Sequence, residues 1–168
     1  MSSPTATTLA PVKPGIPYIQ LDAWRALVNA HAALVGTFEE ALADEQLPPL
    51  AWFGVLGALH RAEDHRLRPR DLGLHLTISK SGLTRLVDRM VAAGLIERRD
   101  CPSDRRGHLI ALTGSGEAVF KDMWPIYAEA FEATFSSRLS AEEAATLCEL
   151  LDRLRDTACQ AAGAEYAE

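Results

Sequence analysis

The chain is short of cysteine and has no long apolar run, and it lacks any recognisable catalytic constellation. Three cysteines, Cys101, Cys148 and Cys159, form an odd set without a CxxC pair. That fits a reducing cytosol better than a disulfide scaffold, so a cytoplasmic location is expected. No apolar stretch approaches the roughly 18–20 residues that cross a bilayer, so no membrane partner is expected. The N-terminus "MSSPTATTLAPVKPGIP" has no basic start followed by an apolar core and does not read as a secretory signal. With prolines at 4, 11, 14 and 17 it reads as a disordered arm over residues 1–17. "TGSG" at 113–116 lacks the lysine and strand-turn-helix setting of a phosphate loop. No nucleophile, base and orienting acid can be assembled, so an enzyme is not expected. Of the five histidines, His60, His65, His75 and His108 show no metal-ligand spacing, and neither metal nor other cofactor is expected. Cys148 and Cys159 lie about three helical turns apart and read as small core or interface residues.

What is present is ordinary bulk with an uneven charge. The 168 residues are 48% hydrophobic with a net charge of −6, enough for one domain or two small lobes. Between Arg61 and His108 stand eleven Lys or Arg against seven Asp or Glu, a local balance of +4 that leaves −10 for the rest. A basic segment in an acidic chain is either a polyanion-binding face or a solvated helix face, and charge alone does not choose.

Periodicity supplies the elements. Leu21, Trp24, Val28, His31, Val35, Phe38 and Leu42 recur at steps of three and four, which predicts a long amphipathic helix. "LPP" interrupts it, and Pro49 suits the first turn of a second helix, "LAWFGVLGALHR". This helix is apolar on almost every side and is expected at the centre, with Gly54 and Gly57 permitting close approach. "EDHRLR" reads as a loop with one short strand, and "PRDLGLHL" as two helical turns. "KSGLTRLVDRMVAAG" follows as a helix with Ser79 as N-cap and Gly94 as terminator. Leu83, Leu86, Val87, Met90 and Val91 share one of its faces; Lys80, Ser81, Thr84, Arg85 and Asp88 share the other. "LIERR" and "HLIALT" then form a hairpin with a long tip, "RRDCPSDRRGH". A long helix from about Gly114 to Ser137 carries Phe120, Met123, Trp124, Tyr127, Phe131 and Phe135, with a kink or new turn expected at Pro125. A capping box, Ser140 with Glu143, opens a last helix through Leu147, Leu150, Leu151 and Leu154.

A short helix, a tight turn, a helix with a polar N-terminal end and a hairpin make a winged helix-turn-helix. The fold class expected is mainly α with a small β-hairpin wing, plus a helical dimerisation region. The second helix of such a motif fits the DNA major groove, where Ser79, Lys80, Ser81, Thr84 and Arg85 can reach base edges and phosphates. An arginine at the hairpin tip suits the narrow minor groove. The end helices carry more apolar surface than one small winged domain covers, which points to dimerisation.

The stretch "LTISKSGLTRLVDRMVAAGLIERRDCPSDRRGHLIALTGSGEAVF" resembles the signature region of the MarR family of bacterial transcription regulators. The resemblance rests on the ordered set S-x-S-x-x-T-R-L-V-D-R, G-L-I-E-R, D-R-R and L-T-x-x-G, over about Leu72 to Phe120. It implies a homodimer with intertwined first and last helices, bound to a pseudo-palindromic DNA operator, usually as a repressor released by a small ligand or by oxidation. Residues 18–46 and 114–162 would then form the dimerisation region and 47–113 the winged domain. By position, Ser79, Lys80, Ser81, Thr84 and Arg85 match the family's major-groove contacts, Arg106 its minor-groove arginine and Asp104 the wing aspartate that braces it. Arg105 lies between, and the sequence leaves open which arginine enters the groove. The family's tendency to bind aromatic or phenolic effectors makes Trp24, His31, Trp52 and Phe53 candidate pocket residues. Two departures stand out. No cysteine precedes Cys101, which argues against the family's early-cysteine oxidation sensing, and Gly73 replaces the usual alanine. Cys101 in the wing is expected to be an exposed bystander rather than a redox switch. The competing reading, from a different class, is a winged-helix module for protein–protein contact without sequence-specific DNA binding.

Overall fold

Residues 15–76, 78, 80–101 and 104–161 are described in the computed structural model, and for Lys80, Cys101, 104–106 and 158–161 the backbone alone. The chain divides into two compact units, residues 1–35 and 36–168. Helix α1, Tyr18–Asp44, begins in the first and ends in the second. Of its periodic stripe only Phe38 and Leu42, both in the second unit, are buried, while Trp24 is 64% exposed. The arm over residues 1–14 and Ser79, the expected N-cap, lie outside the described residues.

The second unit is organised around α2, Leu50–Arg61, where Phe53, Val55, Leu56, Ala58 and Leu59 are all buried. Pro49 stands one position earlier than expected, as the N-cap residue with extended backbone (φ −57°, ψ 154°). A proline side chain accepts no hydrogen bond, and the exposed donor is met from α1 instead: the Leu50 amide donates to Glu39 Oε2 at 3.1 Å. The close approach anticipated at Gly54 and Gly57 is to side chains, Leu76 at the first and Phe120 at the second.

A 3₁₀ turn, Glu63–His65, leads to β1, Arg66–Leu67, then α3, Pro69–His75, and α4, Lys80–Ala92. Proline opens α3 and Asp71 sits in its first turn, near the positive helix end. Gly94 closes α4 at φ +73°, the left-handed geometry that terminates helices without a Cβ penalty. Strands β2, Ile96–Cys101, and β3, Asp104–Leu112, pair antiparallel, and β1 joins the far edge of β3, giving the order β1-β3-β2. The wing therefore differs from the expected long-tipped hairpin. Its strands run into the polar stretch as far as Cys101 opposite Asp104. The register slips on the way, since Asp100 faces His108 and Cys101 faces Asp104, which leaves Arg105, Arg106 and Gly107 without counterparts on β2.

Helix α5, Gly114–Thr134, passes through Pro125 as one helix. Its start explains the L-T-x-x-G motif. Thr113 Oγ1 accepts from the Gly116 amide (3.0 Å) and donates to the Gly94 and Leu95 carbonyls (2.8 and 2.9 Å), tying the end of β3 to the turn after α4. A Cβ on Gly116 would lie 2.0 Å from the Leu95 carbonyl oxygen, so no side chain fits there. Helix α6, Ala141–Ala161, opens on the expected capping box: the Glu143 amide donates to Ser140 Oγ (3.2 Å) and the Ser140 amide to Glu143 Oε2 (2.8 Å).

The core draws Leu42 from α1, Leu56 and Leu59 from α2, Leu72 from α3, Met90 from α4, Ile96 and Ile110 from the sheet and Met123 from α5. All are at most 2% exposed, each worth about 1.5–3 kcal/mol of burial. Phe53 stacks on Tyr127 (4.3 Å) and Phe120 (5.3 Å), and Phe38 on Tyr127 (4.8 Å), which fastens α5 to α2 and the end of α1.

Candidate nucleic-acid interface

Helix α4 is amphipathic in the way its sequence requires. Leu83, Leu86, Val87 and Met90 are buried and Val91 half-buried, which turns Ser81, Thr84, Arg85, Asp88 and Arg89 outward. Small hydroxyl groups followed by a guanidinium, one turn into a helix, can meet base edges and phosphates together. Lys80 begins the helix. Among the sites expected from sequence, the structure thus brings Ser81, Thr84 and Arg85 to one exposed face.

The hairpin stands next to this helix. Arg98 on β2 reaches back to it, with Nη2 2.6 Å from Asp88 Oδ1. Arg99 turns to its strand neighbour Glu97, Nε to Oε1 2.7 Å. Asp104, Arg105 and Arg106 lie on the first residues of β3, two of them in the register slip, so the wing-tip arginines are carried by a strand rather than a loop. The engagement of Arg98 and Arg99 by carboxylates was not foreseen. For Arg99 the alternating E-R-R spacing offered a signal; for Arg98, ten residues from its partner, there was none.

At the wing root, β1 pairs Arg66 with Ala111 and Leu67 with Ile110, anchoring β3 below the tip. The loop before β1 is tightly wound: Asp64 and His65 both adopt positive φ (54° and 53°). The His65 ring stacks on His60 (5.7 Å), and its Nδ1 donates to the His60 carbonyl oxygen at 3.0 Å. On α5, the Lys121 ammonium beside Glu117 (2.7 Å) holds that carboxyl below the usual carboxylate range, with His65 and His60 adding smaller contributions. Among the described residues no group of three or more His, Cys, Asp or Glu side chains could hold a metal ion, and no helix is long and apolar enough to cross a membrane.

The candidate effector residues fall in different settings. Phe53 is a core residue in the aromatic stack, Trp52 is half-buried against that core, and Trp24 and His31, in the first unit, are exposed. Cys148 is exposed on α6, so in the single chain it is not a core residue.

Helix, turn, helix with an outward polar face, then a three-stranded wing: this arrangement defines a winged helix-turn-helix protein. A MarR family model matches residues 46–107, which run from just before α2 into the wing. The multiple antibiotic resistance protein MarR of Escherichia coli is 32% identical over 125 residues, 72% of this chain and 85% of that protein. The chain belongs to the MarR family. Among solved structures, the Streptomyces coelicolor MarR family transcriptional regulator Sco3205, in complex with DNA, superposes with a TM-score of 0.79 at 26% identity, covering 87% of this chain and 91% of that one. Bordetella bronchiseptica BpsR, whose DNA binding is regulated by 6-hydroxynicotinic acid, gives a TM-score of 0.68 at 26% identity, over 79% and 91% of the two chains.

Proposed function

We propose that this chain, a DNA-binding transcriptional regulator by family, acts as a homodimeric repressor on a pseudo-palindromic operator and is released by a small effector. The observation that carries the reading is the outward face of α4, where Ser81, Thr84 and Arg85 stand together beside the wing. In this reading Ser79, Lys80, Ser81, Thr84 and Arg85 enter the major groove, and Arg106 or Arg105 the minor groove with Asp104 as brace. Residues 47–113 are the DNA-binding lobe, and 18–46 with 114–162 the dimerisation region. Exposed Leu150, Leu151 and Leu154 on α6 support a partner for that region. Two recognition helices on one face of the duplex require half-sites spaced by whole turns of about 10 bp. The family membership favours DNA over protein contact as the work of the winged lobe. An aromatic or phenolic effector is the regulatory part of the proposal; the neighbour regulated by 6-hydroxynicotinic acid supports that ligand class.

The test is a titration of the protein with a duplex it selects from a random-sequence pool, followed by fluorescence anisotropy across a salt series. Arg106→Ala is expected to weaken binding about tenfold and to flatten the salt dependence by about one counterion, leaving the dimer intact. Binding as tight as the parent's at every salt concentration would remove Arg106 from the interface, and Arg105→Ala in parallel tells which arginine enters the groove.

A further inference from the structure

Asp88 is an acid on the wrong face. It lies one turn after Thr84 and three residues after Arg85, on the side of α4 that the proposed function turns toward a polyanion. A bare carboxylate there would repel phosphates. It is not bare: Arg98, from β2, closes on it at 2.6 Å. With side chains 55% and 40% exposed, such a pair contributes little to stability in water, and stability does not account for it. What it does is geometric and electrostatic. It bridges the recognition helix and the wing strand, whose mutual angle decides whether major and minor groove can be engaged together.

We infer that Asp88 and Arg98 are a positioning and specificity pair: the bridge sets the wing against α4, and Asp88 restrains Arg98 from indiscriminate phosphate contact. The inference rests on the DNA-binding reading above. It predicts that the two halves of the pair behave oppositely. Asp88→Asn releases a cation and removes an anion, so affinity for random duplex rises. Arg98→Gln leaves the carboxylate facing phosphate, so affinity for every duplex falls.

The experiment compares the parent, Asp88→Asn, Arg98→Gln and the double variant by anisotropy, on the duplex selected by the parent and on a random duplex of equal length, across a salt series. Asp88→Asn is expected to bind random duplex about threefold more tightly, with a salt slope steeper by about one, and to lose severalfold in the ratio of selected to random affinity. Arg98→Gln is expected to lose about tenfold on both duplexes, and the double variant to return near the parent on random duplex while keeping the reduced ratio. Far-ultraviolet circular dichroism checks that each variant is folded. Single variants that both weaken binding, or an Asp88→Asn ratio within about twofold of the parent's, would overturn the pair's role. A parent that binds neither duplex would overturn the DNA-binding reading and this inference with it, and that failure is distinguishable because it shows before any substitution is made.

Discussion

Leucine meets two fates in this chain. In the winged lobe Leu56, Leu59 and Leu72 are fully enclosed by α2, α3, α4, α5 and the sheet. On α6 Leu150, Leu151 and Leu154 are 43%, 37% and 57% exposed, although they recur at helical spacing just as regularly. The lobe closes its core with the help of α5 and the end of α1, and holds its wing with backbone pairing. Helix α6 is capped at its start, yet its apolar stripe is left exposed by the described residues. The contrast separates a part whose core is closed within one chain from a helix whose apolar stripe stays exposed, which is the face the proposed homodimer would cover.

The largest expected effect strikes the junction between the winged lobe and α5. Gly116→Ala forces a methyl group to within 2.0 Å of the Leu95 carbonyl, backbone that cannot rotate away. The junction of α4, the sheet and α5 must open, and with it the Thr113 cap. A loss of about 3 kcal/mol or more is expected, seen in a thermal melt as a fall of roughly 10 °C. A melting temperature within about 2 °C of the parent would mean that the junction is softer than its geometry implies.

Next comes the exposed stripe of α6. Leu150→Glu with Leu154→Glu places charge in the α6 stripe without touching the winged core. If the proposed dimer holds, sedimentation equilibrium is expected to show a dimeric parent and a monomeric variant, and operator affinity should fall at least about tenfold, since each half-site is then bound alone. An unchanged mass would make the stripe a solvated face and dissolve the contrast between the two regions.

The fold was legible where local chemistry decides it. Pro69 at a helix start, Gly94 at a positive-φ terminator and Ser140 with Glu143 each stand where sequence places them. The exposed face of α4 was legible for the same reason, a 3.6-residue period with no ambiguity of length. Illegible were the features set between elements. The wing tip reads as loop from its Pro, Ser, Asp and Gly content, yet strand pairing extends through Asp100 and resumes at Cys101 opposite Asp104, because backbone donors on adjoining strands pair whatever their side chains. Glu39 capping α2, and Asp88 holding Arg98, join residues eleven and ten apart that no periodicity links. Thr113 belonged to a recognised motif, but its three hydrogen bonds became visible only with the Gly94 and Leu95 carbonyls beside it.

The smallest effect tests how far α6 is a helix in its own right. Ser140→Ala removes the acceptor of the Glu143 amide and is expected to cost about 1 kcal/mol, read as faster hydrogen exchange in the first turn of α6 while the core amides of α2 keep their protection. The same box has a pH signature. Hydrogen bonds from the Ser140 amide, and then from its side chain, hold the Glu143 carboxyl below the usual carboxylate range. A carboxyl with a depressed folded value contributes stability that is fully present above its unfolded value of about 4.3 and is lost as the pH falls through the folded value. The gap in first-turn protection between the parent and Glu143→Ala should therefore be constant above about pH 5 and narrow only in acid below that. A gap that already narrows between neutrality and pH 6 would point to a histidine rather than Glu143, and would shift the control of this helix end away from its cap.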